Sequence, residues 1–224
     1  MTTSNKVRYR QYQPRDYSDC ERLVSQAWQF EQHFAPNSLA KLMAYFYTSG
    51  APQVSNFSLV AEANGQVIGF IFGNNRRERQ KKPSLGYSLQ SLGKLVKLWC
   101  LSGEVRQRKK DLWERISQHS LNRKSLCKDW GSEVLLFVIA PEFQGQGIGS
   151  HMVKAFLNSC AQRGVDKVSV EANVVEAGRF YERVGFRYID EFESPLHATC
   201  SSCDRAGRYL FCLDEPVFSE PNPE

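Results

Sequence analysis

Nothing in these 224 residues approaches the run of roughly 20 apolar residues that spans a bilayer. The opening Met1-Thr-Thr-Ser-Asn-Lys6 has no apolar signal-peptide core. A soluble protein with a cytoplasmic location is the resulting expectation. An even cysteine count is lacking, for there are seven: Cys20, Cys100, Cys127, Cys160, Cys200, Cys203 and Cys212. Seven thiols in a chain of this length do not make a disulfide framework, and Cys160, Cys20 and Cys212 read as buried apolar residues. The Gly-Lys-Ser/Thr ending of a P-loop is missing, and so is the Gly-x-Gly-x-x-Gly dinucleotide fingerprint. No DNA- or RNA-binding signature accompanies the basic residues, and no motif places a nucleophilic Cys or Ser.

What is present starts with charge. The net +5 is uneven. Residues 76–130 hold fifteen Lys/Arg against five Asp/Glu, a net +10, which leaves the rest of the chain at −5. A hydrophobic content of 42% is ample for a core. The expected organisation is one domain over 1–215, with a basic helical insertion at about 76–130, and a flexible proline-rich tail at 216–224.

The most informative stretch is Glu133-Val-Leu-Leu-Phe-Val-Ile-Ala-Pro-Glu-Phe-Gln-Gly-Gln-Gly-Ile-Gly-Ser150. Val134 to Ala140 reads as a buried strand. Gln144-Gly-Gln-Gly-Ile-Gly149 follows as a loop. Ile148, Met152, Phe156 and Cys160 then recur at helical spacing. Strand, glycine loop and helix start together make an anion site, because the first helical N–H groups lack partners and the macrodipole adds positive charge.

Gln144, Gly147 and Gly149 match the Gln/Arg-x-x-Gly-x-Gly/Ala loop of the GNAT superfamily of acyl-CoA-dependent N-acetyltransferases. Ala177-Gly-Arg-Phe-Tyr-Glu-Arg-Val-Gly-Phe186 resembles that family's Ala-x-x-Phe-Tyr-Glu-Lys-x-Gly-Phe segment. The resemblance is firm from about 133 to 192, weaker over 7–73 and absent from 76–130. It implies an α/β fold of GNAT type: a mixed, twisted sheet flanked by helices, with the helical insertion between strands 3 and 4. It implies acetyl-CoA as acyl donor and a primary amine, on a small molecule or a protein, as acceptor. Attack is direct, without a covalent enzyme intermediate.

The same resemblance assigns roles. Amides of Gly145, Gln146, Gly147, Ile148, Gly149 and Ser150, with Gln144, hold the pyrophosphate. The strand before the loop splays from its neighbour, and its backbone at about Val138 and Ile139 meets the pantetheine arm and the thioester oxygen. Tyr181 protonates the leaving thiolate, a plausible transfer between a phenol near ~10 and a thiol of roughly 8–9. Glu133 is the candidate general base, directly or through water, with Glu171 as the alternative carboxylate. Asn173 stands four residues before Ala177 rather than the family's three, so its cofactor contact requires a one-residue bulge.

Along the rest of the chain, Val7 to Gln13 reads as a first strand. Asp16 or Ser18 caps a helix to about Phe30, an aromatic-rich stretch follows, and a helix spans Leu39 to Tyr47. Phe57 to Ala63 and Gln66 to Gly73 form a hairpin about Asn64-Gly65. Leu85, Leu89, Leu92, Val96 and Trp99 make a helical stripe, and a second helix is expected from Arg106 to Ser120. These helices suit a lid, a homodimer or partner surface, a basic surface for nucleic acid or anionic lipid, or a solvated basic face over a packed apolar stripe. Further strands are expected at 168–172, 186–192 and 209–213, with a helix at 176–184 closed by Gly185. His197-x-x-Cys200-x-x-Cys203 offers soft ligands, yet structural zinc wants four and only Cys212 is nearby, so no metal is expected. The rival to an enzyme is a non-catalytic acyl-CoA-binding module whose basic insertion contacts a partner protein, nucleic acid or membrane.

Overall fold

The Asn64-Gly65 pair builds the first hairpin as its chemistry requires, with φ of 51° and 79° at the two turn residues. It joins β2 (Phe57–Ala63) to β3 (Gln66–Asn74) in antiparallel register. This computed structural model describes residues 6–100, 105–125, 131–201 and 203–213. The expected tail at 216–224 and Cys127 lie outside them.

The first strand is shorter than its alternation suggests. β1 covers Arg8–Arg10 and pairs with β2. Arg10 ends it, donating to Glu62 at 2.7 Å and to both oxygens of Asp16 at 2.7 and 2.9 Å. Asp16 therefore does not cap the following helix through its side chain. Its carboxylate instead takes Arg10 and the N–H of Gln13, because a nearly buried carboxylate needs charged partners.

α1 spans Tyr17–Ala27 and stops short of Phe30, where Gln29 adopts a left-handed φ of 49°. A single turn, α2 (Phe30–His33), follows. α3 runs Asn37–Val54, well past the expected Tyr47. Its buried face, from Leu39 through Met43 to Thr48, outweighs the weak helix formers Ser49, Gly50 and Pro52. Two helices, α4 (Leu85–Cys100) and α5 (Val105–Ser125), stand between β3 and β4 (Ser132–Ile139). α6 (Ile148–Ala161), β5 (Lys167–Asn173), α7 (Gly178–Val184), β6 (Arg187–Glu193) and β7 (Arg205–Cys212) complete the chain. β7 begins four residues before its apolar end because Arg208 is buried there against Asp190 on β6.

The sheet order is β1-β2-β3-β4-β5-β7-β6, with β4–β5 as its one parallel pair. Alternation along β3 and β4 feeds two cores. Ile68, Ile71, Val134 and Ile139 pack with α6 and α7 on one face. Val67, Phe70, Phe72 and Val138 pack with α1, α3 and Leu112 of α5 on the other. Cys20 and Cys160 are fully buried as expected, whereas Cys212 is only half-buried. No helix among the described residues is long and apolar enough to cross a membrane.

Candidate functional site

The site begins where the sheet comes apart. β4 and β5 pair only at Ser132, Glu133 and Val134, opposite Val168, Ser169 and Val170. Beyond Val134 the pairing with β5 ends, although β4 stays on β3 to Ile139 and β5 stays on β7 to Asn173. The cause lies in β4 itself. Phe72 opposes Leu136 and Gly73 opposes Val134, so Leu135 is one residue too many. Such a bulge bends its strand and increases the local twist, here at the residue after the last contact with β5. A V-shaped opening results between the C-terminal halves of two central strands. Leu135, Leu136 and Phe137 are only half-buried in mid-sheet, an apolar surface left for something else to cover.

Strand phase decides which backbone groups face this opening. The N–H of Ala140 donates to Ile68 O on β3 at 2.8 Å. Alternation in an antiparallel ladder therefore turns Val138 toward β3 as well, and turns Phe137 and Ile139 toward the opening. Of the two expected positions, Ile139 turns its backbone toward the opening and Val138 does not. Phe137, which shares that phase, is not among the positions expected from the sequence, and the bulge that sets the phase carries no sequence signal.

The loop from Gln144 to Gly147 is exposed at the end of β4. Gly145 and Gly147 have φ of 74° and 79°, and a side chain added at either would meet only open space. They are glycine for backbone shape, in front of an empty approach. Gly147 is the N-cap of α6, and no side chain caps that helix. The first capped donor is His151, whose N–H reaches Gly147 O at 3.0 Å, so the amides of Ile148, Gly149 and Ser150 open the helix. Gly149 has a different reason: a Cβ there would lie 3.2 Å from the Phe137 ring and 3.3 Å from that of Phe180. The glutamines brace the loop from within. Gln144 Nε2 donates to Ile139 O at 3.1 Å and Gln146 Nε2 to Glu142 O at 3.1 Å. A pyrophosphate fits this chain's donors: uncapped amides, a helix start and an unobstructed approach.

α7 packs against α6 and carries Phe180 and Tyr181. Tyr181 is 4% exposed, ringed by Phe180, Phe186 and Tyr209 at 5.1, 5.4 and 6.2 Å between centroids. Burial raises its hydroxyl well above the ordinary phenol range. Among the described residues that hydroxyl has no hydrogen-bond partner, and it is not one of the fully enclosed orphan atoms.

Asn173 ends β5, which runs in register with β7 and has no bulge. Its amide is engaged inside the fold, accepting from the N–H groups of Val175 and Glu176 and donating to Ser201 Oγ at 2.6 Å. The asparagine thus shapes the turn into α7.

The two candidate carboxylates share one partner. Arg123 of α5 lies 2.7 Å from Glu171 Oε1 through Nε and 3.6 Å from Glu133 Oε2 through Nη2. Glu133 sits at the closed end of the opening and Glu171 one residue past the last β4–β5 pair. Phe137 is four strand residues from Glu133, about 13 Å along β4, so a base at Glu133 needs an intervening water. Nearby, His119 of α5 bonds Ser194 Oγ at 2.8 Å and faces His197 at 5.8 Å between rings. Burial, and then His119, push the His197 imidazole down to about 4, and its Nδ1 has no partner. Cys200 is pushed up to about 12 by burial, while Cys203 contacts the backbone of Arg205. Among the described residues no group of three or more His, Cys, Asp or Glu is placed to hold a metal ion.

The acetyltransferase (GNAT) family is matched by residues 17–186. No curated protein matches the chain by sequence. Several solved structures share its fold. An agmatine N-acetyltransferase in its apo form superposes with a TM-score of 0.57 at 13% identity, over 92% of this chain and 99% of the other. An N-acetyltransferase from Staphylococcus aureus gives 0.51 at 12% identity, over 93% and 99%. Ard1 from Thermoplasma volcanium gives 0.50 at 18% identity, over 92% and 97%.

Proposed function

The chain belongs to the GNAT acetyltransferase family, whose acyl donor is acetyl-CoA, and on that premise we propose that it acetylates a primary amine of a small molecule or protein by direct attack. The observation that carries this reading is the opening between β4 and β5, which ends at the uncapped, glycine-lined start of α6. The amides of Gly145 to Ser150 hold the pyrophosphate. Gln144 braces the loop rather than meeting the ligand. Bound in this way, acetyl-CoA supplies a thioester whose carbonyl is open to an amine. The N–H groups of Phe137 and Ile139 line the open edge of β4, where a developing oxyanion needs donors already in place.

Tyr181 protonates the departing thiolate. Its raised pKa keeps the proton on the phenol at neutral pH. The same desolvation raises the basicity of the thiolate, so donor and acceptor move together. Glu133 takes the ammonium proton through water, and Glu171 stands beside it. A pair of carboxylates on this face suits a cationic acceptor, which competes with Arg123 for them. Exposed ion pairs are worth about 0–1 kcal/mol, so that competition is mild.

The test is a calorimetric titration with acetyl-CoA of the wild type, Gly147→Glu and Gly147→Asn. Asparagine tolerates the left-handed backbone and adds no charge. Saturable binding that glutamate abolishes and asparagine retains supports the pyrophosphate site. Equal binding by all three variants, or none by folded wild type, overturns it.

A further inference from the structure

α4 is an amphipathic helix turned inside out. The side facing the body is mostly polar. Tyr87 reaches Ser49, Ser91 reaches Tyr45 Oη at 3.1 Å, and Lys94 lies 5.1 Å over the Tyr45 ring. Leu98, an apolar residue of that side, packs on the core. The stripe Leu85, Leu89, Leu92 and Val96 points outward, at 77, 61, 57 and 54% exposure. Four large apolar side chains along one surface line of a helix are a patch that calls for a cover.

Three features identify the cover. The stripe advances by four, three and four residues, the heptad spacing of a coiled-coil seam. It therefore fits another helix rather than a flat surface. The positions flanking the stripe are Gly86, Ser88, Gly93 and Leu95, with no charge among them, in a stretch of the chain that is otherwise strongly basic. Side chains added at Gly86 or Gly93 would meet nothing within 4 Å, so a second backbone can approach closely. A helix built for anionic lipid carries Lys or Arg beside its apolar stripe. Here Lys94 is on the packed side and Lys97 well round from the leucines. An acidic partner would likewise call for cations at the flanks. An uncharged seam instead tolerates its own copy, since no like charges meet across it.

We propose that α4 is a homodimer seam, pairing through Leu85, Leu89, Leu92 and Val96 with the same helix of a second copy of this chain. At 1.5 Å per residue the helix provides a seam about 24 Å long. The pairing is independent of the acetyl-transfer chemistry.

Sedimentation equilibrium of the full chain tests it, with wild type, Leu89→Glu/Leu92→Glu and Gly93→Glu. Wild type is expected at twice the 25.6 kDa of one chain. The double variant should be monomeric, its dissociation constant raised at least 100-fold. Gly93→Glu improves helix propensity and lies in open space, so weakened dimerisation by that variant reports flank charge and not misfolding. Acetyl-CoA binding should survive in both variants. A monomeric wild type, or a dimer indifferent to both changes, overturns the proposal. So does co-flotation of wild type, but not the double variant, with phosphatidylserine vesicles, which would give the stripe to a lipid surface.

Discussion

α6 and α4 carry nearly the same pattern and have opposite surroundings. In α6 the residues Ile148, Met152, Phe156 and Cys160 recur every four positions and are all buried against the sheet. In α4 the stripe repeats just as regularly and faces solvent. Periodicity shows that a helix has an apolar side. What covers that side depends on where the chain connections put the helix. α6 follows directly from a central strand and lies back across its own sheet. α4 is anchored through Tyr87, Ser91 and Lys94 to α3, so its polar side is turned inward.

The sharpest way to break that comparison is truncation. Phe156→Ala in α6 should cost roughly 3–5 kcal/mol, as for buried aromatics generally. In the monomeric state Leu92→Ala in α4 should change stability by no more than about 0.5 kcal/mol. Urea melts of the two variants decide it, and equal costs would mean that α4 is buried within the monomer. Next in size is Tyr181→Phe on α7, beside the start of α6. Turnover should fall on the order of 100-fold while acetyl-CoA affinity holds. Unchanged turnover would leave Tyr181 as packing only.

A third test concerns how α5 is held. His119 and His197 join it to the segment between β6 and β7. The folded protein keeps His197 neutral down to about pH 4, against an ordinary value of 6.5, whereas the unfolded chain takes up the proton earlier. The unfolded state therefore binds more protons between those values, and stability falls as pH drops through that window. His197→Phe should flatten the melting temperature between pH 6.5 and 4. A profile as steep as wild type would place the acid sensitivity elsewhere. The smallest effect is expected from Arg123→Gln, which frees Glu133 and Glu171 from their shared guanidinium. KM for a cationic amine should drop a few-fold with neutral amines unaffected, and equal changes for both would show that Arg123 acts only through the fold.

Much of the site was legible because local chemistry and tertiary role coincide there. The positive φ at Gly145 and Gly147 can be inferred from the glycines and the helix that follows them. Only the motif singles out Tyr181 as a candidate, since an aromatic on a buried helix face otherwise reads as core. Asn173 has a local role that its motif position does not show: its amide oxygen satisfies two backbone donors of its own turn, a bond that competes with any ligand. α3 ran past its weak helix formers because packing outweighed propensity. The short β1 and early β7 leave no local trace because Arg10 is also paired with Glu62, 52 residues on, and Arg208 with Asp190, 18 residues back.

By itself the sequence determined the strand, glycine loop and helix unit, the Asn64-Gly65 hairpin and the existence of two helices between β3 and β4, the first of them amphipathic. These rest on backbone sterics and periodicity, which act within a few residues. Only the tertiary structure decided that Leu135 bulges and opens β4 from β5, and that Phe137 rather than Val138 faces the opening. It alone placed Arg123 between Glu133 and Glu171 and turned the leucines of α4 outward. Each of those depends on which elements meet across the sheet, and neighbours distant in sequence leave no periodic trace.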